Sequence, residues 1–256
     1  MSAVKTSPAP LDPSAFAARF STAARAAGFR EERFGARDGC PLVAYTRRAP
    51  GRHPRIYLSA GIHGDEPAGP LALLELLTTG AFDHRATWFL VPLLNPTGFT
   101  LRTRENAEAI DLNRDYRHPR TTEIVAHVAW LRRQPPFDLT LCLHEDWEAT
   151  GYYLYELAAP GQASLAPAFL TAAAAHLPID PAAVIDGRPV TIPGLIHPQD
   201  DPLLRETWPE AISLRAHHTP ACYTLETPST APLATRVSTH VAAVTTALDA
   251  FQLRRA

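Results

Sequence analysis

The chain has 256 residues, 46% of them hydrophobic, with 24 Lys and Arg against 26 Asp and Glu. That is apolar material for one sizeable core, and a near-neutral chain without a basic run points away from nucleic acid and membrane surfaces. Cys40, Cys142 and Cys222 are widely spaced and odd in number, which predicts no disulfide framework and fits a reducing, cytoplasmic setting; no segment reads as a signal core or a bilayer span.

Residues 1–12 read as a flexible leader of a single domain over 1–256. Ser14 is placed to cap a helix that runs to about Ala27, with Gly28 as its stop. PLVAYTRR, from Pro41, alternates like a strand, and RIYLSAG, Arg55 to Gly61, is a short apolar one. A helix fits Pro67 to Thr79, because Pro is tolerated in a first turn and Gly80 ends it. WFLVPLLN, Trp88 to Asn95, predicts another buried strand, broken by NPTG. From Thr121, Ile124, Val128 and Leu131 fall on one side of a helix. LTLCLHED (Leu139 to Asp146), GYYLYEL and ACYTLETP (from Ala221) read as strands. PAFLTAAAAHL and the stretch from about Pro232 to Leu253 read as helices. Strands alternating with helices predict a three-layer α/β/α sandwich around a mixed, largely parallel sheet. Ligands of such sheets gather beyond the carboxyl ends of strands. Three predicted strands end there in polar clusters: RIYLSAG-IHGDE, LTLCL-HED and CYTL-ETPS.

His63 and Glu66 stand three residues apart where a strand gives way to a helix, a spacing that turns both side chains to one side. Imidazole and carboxylate are good zinc ligands, and a catalytic zinc takes three protein ligands and keeps one position open. With eleven histidines in the chain, the His-x-x-Glu spacing alone carries little; His197-Pro-Gln-Asp200 is a near match. His144 ends an apolar strand and is the candidate third ligand. His53, His84 and His118 lie in polar connections, and His127, His176 and His240 on helical patterns that suit packed or surface histidines. His197, His217 and His218 sit in a loop that could line a pocket. Glu226 follows an apolar run and reads either as a general base or as half of a salt bridge. Thr100 to Tyr116 carries Arg102, Arg104, Arg114, Asn106 and Asn113 without a clean period, either an anion pocket or a solvated loop. Glu145, Asp146 and Glu148 read as a solvated rim, with recognition of a cationic group as the alternative.

The ordered set GIHGDE, NPTG, RENAEAIDLNRDY, LHED and TLETPS resembles the zinc carboxypeptidase superfamily, peptidase family M14, over roughly Ile56 to Thr230. The resemblance implies one zinc ion held by His63, Glu66 and His144. It implies Asp111 as the carboxylate that orients the first ligand histidine, and Asn113 with Arg114 as the pair that grips a terminal carboxylate. Arg104 would polarise the scissile carbonyl, and Glu226 would serve as the base. Digestive members carry a loop Tyr before the catalytic Glu; Thr191 to Ala221 has none, leaving Trp208, His197 or His218 to cover the site.

The implied activity is hydrolysis of an amide next to a free carboxylate, on short peptides. The first alternative is a deacylase similar to succinylglutamate desuccinylase and aspartoacylase, acting on acylated amino acids. The second is a zinc-binding module without catalysis, which the presence of Glu226 disfavours. A serine hydrolase is disfavoured because no GxSxG occurs.

Overall fold

The computed structural model describes residues 11–198 and 201–254. In chain order the elements are α1 (Pro13–Ala26), β1 (Arg30–Arg37), β2 (Cys40–Arg47), β3 (Arg55–Ala60), α2 (Ala68–Thr78), β4 (Thr87–Val91) and α3 (Pro96–Leu101). A 3₁₀ turn at Leu112–Arg114 follows, then α4 (Thr122–Leu131), β5 (Leu139–Asp146), β6 (Tyr153–Ala158) and α5 (Ala166–Ala173). The last third holds the short strands β7 (Val184–Ile185), β8 (Arg188–Pro189) and β9 (Leu195–Ile196), then α6 (Glu210–His217), β10 (Ala221–Pro228) and α7 (Leu233–Leu253).

Eight strands form one sheet in the order β1-β2-β4-β3-β5-β10-β6-β9. Its centre, β4-β3-β5-β10, is parallel throughout, and β1, β2 and β6 are joined antiparallel at its flanks. Side chains alternate across the sheet. Ile56, Leu58, Leu141, Leu143 and Leu225 face a core closed by α1, α2, α5 and α7. Tyr57, Cys142 and Cys222 face the opposite core, closed by α4 and α6. The layers are therefore helix, sheet, helix, as the alternation of elements predicts. Burying one such Leu or Ile is worth about 1.5–3 kcal/mol, so the in/out pattern fixes the strand register. Among the described residues, no helix is long and apolar enough to cross a membrane.

Several expectations need correction. Asp12, not Ser14, caps α1: its Oδ1 accepts the Ala15 N–H at 2.9 Å. Residues 1–10 of the expected leader lie outside the described residues. NPTG does not simply break a strand. Asn95 caps α3 through the Gly98 N–H at 2.8 Å, and Pro96 takes a first-turn position that needs no N–H. The charged run REERFGAR is strand β1, an edge strand whose exposed charges suit an edge and hide its period.

Candidate metal centre and substrate cavity

The carboxyl ends of β3, β5 and β10 meet at one edge of the sheet. Beyond β3 the chain turns at Gly61, in the left-handed region at φ 68°, and its carbonyl accepts the N–H groups of Leu94 and Asn95. Gly64 passes against the backbone of Gly98 so closely that an added Cβ would sit 1.9 Å from the Gly98 carbonyl carbon. Only glycine fits there. The crowding presses the loop inward and leaves His63 and Glu66 at 2% and 5% exposure.

His144 stands at the end of β5 and Glu226 at the end of β10, directly paired in the parallel register. Both lie on the Cys142 and Cys222 side of the sheet, because they are even steps from those residues. The next residue, Glu145, must therefore face the other way. Its carboxylate accepts the Ala68 N–H of α2 at 2.6 Å and pairs with Arg236 of α7. The expected solvated rim is wrong for Glu145, which is buried against two helices; Glu148 is exposed.

His63 Nδ1 lies 2.6 Å from Glu66 Oε1 and His144 Nδ1 lies 3.0 Å from Glu66 Oε2. The potential ligand atoms of the three residues all fall within 4.8 Å of one another. The other nitrogen of His63, Nε2, lies 3.2 Å from Asp111 Oδ1. If Nε2–H donates to Asp111, the Nδ1 lone pair of neutral His63 faces a carboxylate oxygen at hydrogen-bond distance. Two acceptors facing each other need a proton or a cation between them. Two imidazoles and one carboxylate, all buried, suit zinc, so the residues fit the implied ion.

Burial pushes the Glu66 carboxyl up, but the His63 and His144 charges and their hydrogen bonds outweigh it and bring it down to about 2. Burial also opposes the charged form of Asp111, and the hydrogen bond and charge of His63, with Arg104 and Arg114, hold it well below the usual carboxylate range. Glu226 behaves oppositely. Burial pushes it up to about 8, with His144 and Arg104 opposing and Glu66 and Asp146 adding to the rise.

Arg104 donates from Nε to Asp111 Oδ2 at 3.0 Å, with Nη1 3.7 Å from Glu66 Oε1. Asn113 is buried, and its Oδ1 accepts the Glu210 N–H at 2.8 Å. Arg114 is exposed and donates to the Asn113 carbonyl at 2.9 Å. His63, Glu66, His144, Arg104, Asn113, Arg114 and Glu226 all line one cavity of about 600 Å³. Asp111 stands behind His63.

Of the three residues considered in place of a loop Tyr, only His197 lines this cavity among the described residues. It is held between Thr191 Oγ1 and Glu156 Oε2, each at 2.8 Å. The acidic end of its His-x-x-Asp run, Asp200, lies outside the described residues. Sequence reasoning missed Tyr153, Tyr155, Arg188 and Arg205, which also line the cavity. The alternation of β6 does carry a signal for the two tyrosines, since they stand two residues apart on one strand face.

Residues 52–183 match the succinylglutamate desuccinylase/aspartoacylase catalytic domain. The fold resembles crystal structures of proposed metallopeptidases from Shewanella amazonensis and Shewanella denitrificans. The first is 25% identical with a TM-score of 0.81 and covers 93% of both chains. The second is also 25% identical with a TM-score of 0.81, over 93% of this chain and 90% of that one. A metallo-carboxypeptidase from Burkholderia cenocepacia, 16% identical, shares the fold with a TM-score of 0.66, over 92% of this chain and 68% of that one. Carboxypeptidase SOL1 of Arabidopsis thaliana is 34% identical over 74 residues, 25% of this chain and 15% of the plant protein's length. Fold and site define a hydrolytic enzyme of the M14 metallopeptidase superfamily. Within it, the chain belongs to the succinylglutamate desuccinylase/aspartoacylase family.

Proposed function

We propose that this chain is a zinc-dependent metallocarboxypeptidase that removes the terminal residue from short peptides. The observation that carries the reading is the placement of Glu226 beside His144 in the strand register, on the cavity that also holds His63, Glu66, Arg104, Asn113 and Arg114. A structural metal site needs no buried carboxylate of its own beside it, and a hydrolytic one does.

His63, Glu66 and His144 would hold the zinc, which supplies Lewis acidity that acidifies a water and polarises the scissile carbonyl. Asp111 keeps the His63 ring turned so that Nδ1 faces the cluster. Glu226 takes the proton of the attacking water and hands it to the departing amine. The Arg104 guanidinium stabilises the negative charge that develops on the carbonyl oxygen. Asn113 and Arg114 bind the substrate's free carboxylate and so set which amide reaches the base.

A second reading, an N-acyl amino acid deacylase, is favoured by the family match over residues 52–183. Both reactions break an amide beside a carboxylate and use the same residues. They differ in what lies on the acyl side. The deciding experiment supplies the zinc-loaded protein with a panel of short peptides and N-acyl amino acids and follows products by mass spectrometry. Release of C-terminal residues supports the peptidase; release of acyl acids alone supports the deacylase.

A further inference from the structure

Glu210 has no part in the chemistry above, yet it is a carboxylate at 1% exposure directly behind the cavity. It opens α6 and reaches back to the sheet. Its Oε1 accepts the Tyr57 hydroxyl at 2.7 Å and its Oε2 the Ser59 hydroxyl at 2.9 Å, both from β3. Behind Tyr57, His127 of α4 places Nε2 3.1 Å from the Tyr57 hydroxyl and Nδ1 2.8 Å from the Tyr116 hydroxyl. Burial, with a smaller push from His218, drives His127 down to about 3, so the ring is neutral at ordinary pH.

One tautomer satisfies every member of this chain. Tyr116 donates to Nδ1, Nε2–H donates to Tyr57, and Tyr57 donates to Glu210. A buried network in which each group has its partner is rigid, and one left partly unsatisfied is costly. The first turn of α6 is thereby tied to β3 and, through His127, to α4.

The consequence reaches the cavity through the backbone. The Glu210 N–H donates to the Asn113 side chain at 2.8 Å. An N–H can only donate, so the Asn113 atom facing it must be the oxygen. That leaves the amide nitrogen, with both hydrogens, for the cavity that Asn113 lines. The reverse orientation would present an oxygen to an incoming carboxylate and repel it.

We propose that Glu210 is a positioning residue: its buried carboxylate anchors the start of α6 so that its own N–H holds the Asn113 amide with the donor end toward the substrate's carboxylate. This rests on the reading of Asn113 as a carboxylate ligand. It concerns a residue outside every motif that carries the resemblance.

The test compares binding of phenylpropanoate and phenylpropanamide, which differ only in the charged group, to zinc-loaded protein by calorimetry. Wild type, Glu210→Gln, Ser59→Ala and Asn113→Ala are compared. Loss of one oriented hydrogen bond to a charged group predicts that Glu210→Gln lowers the acid-over-amide preference by about tenfold, as Asn113→Ala does. Ser59→Ala, which leaves the Tyr57 contact in place, should lower it by about threefold on the same reasoning. A merely structural Glu210 would weaken both ligands alike or lower stability without moving their ratio. An unchanged ratio in Glu210→Gln, with the preference lost in Asn113→Ala, overturns the role of Glu210 alone. An unchanged ratio in Asn113→Ala overturns the reading beneath it. If Glu210→Gln does not fold, Ser59→Ala decides by the same ratio: a loss supports the proposal and an unchanged value overturns it.

Discussion

His63 is held from both sides: its Nε2 lies 3.2 Å from Asp111 Oδ1 while its Nδ1 lies 2.6 Å from Glu66 Oε1. The ring cannot rotate without losing one partner. Such an outer carboxylate fixes both the tautomer and the basicity of a ligand imidazole. Asp111→Asn keeps the shape and removes the charge. Zinc affinity, measured by competition against a chelator, should fall by about 10–100-fold. An affinity equal to wild type would remove Asp111 from the account.

Glu226 offers a cleaner separation of chemistry from metal binding. It lies beside His144 without being one of the three clustered ligand residues. In Glu226→Gln the turnover of a cleaved peptide should drop by about 10²–10⁴-fold, the range expected for loss of a general base. Zinc content by elemental analysis should stay at the wild-type level. Full turnover in this variant would overturn the proposed mechanism.

The Glu145–Arg236 pair makes a prediction about stability. Glu145 is fully buried and Arg236 is 5% exposed at the side chain, so neither can turn to water. Removing one partner of such a pair leaves a buried charge and costs about 3–5 kcal/mol. Arg236→Met should lose that much in urea unfolding of the metal-free protein. The double variant with Glu145→Gln should regain part of it, because no charge is left stranded. Equal stability of Arg236→Met and wild type would mean that the pair contributes nothing.

The buried histidines fix a pH dependence. Burial drives His127 from 6.5 to about 3, and burial likewise brings His240 to about 3. Between these values the unfolded chain binds protons that the folded chain refuses. Stability therefore rises with pH through this window and falls as acid is added, by up to about 1.4 kcal/mol per pH unit for each group. Glu226 acts in the opposite direction in the metal-free protein. Held protonated up to about 8 by burial, it makes the folded state less favourable as pH rises above the usual carboxylate range. Comparing wild type with His127→Gln cancels Glu226 and His240. The variant should lose stability less steeply from pH 6.5 down to 3; equal slopes would contradict a neutral, buried His127.

The residues that end predicted strands were the ones most legible in the sequence. His63, His144 and Glu226 each follow an apolar run, and a parallel sheet brings the carboxyl ends of such runs together. The same reasoning failed one residue further on at Glu145. There the alternation of β5 continues past the apolar run and turns the side chain to the opposite layer. Strand β1 was missed because its side chains are charged, and α6 because EAISLRAH mixes polar and apolar residues without a strong stripe. Glu210 could not be read as anything special: its partners Tyr57, Ser59 and Asn113 are each about a hundred residues or more away in sequence and meet it only in the folded chain. The Asn95 cap was written in NPTG, but the same four letters also mark a plain turn.

The most direct test of the central claim uses one matched set of ligands. Zinc-loaded protein is incubated with an N-acetylated dipeptide, the same dipeptide with its terminus amidated, and the corresponding N-acetyl amino acid, and products are followed by mass spectrometry. The account predicts release of the C-terminal amino acid from the free-acid dipeptide, much slower cleavage of the amidated one, and loss of both activities in Glu226→Gln. Release of acetate alone, or cleavage of the free and amidated dipeptides at equal rates, would contradict it.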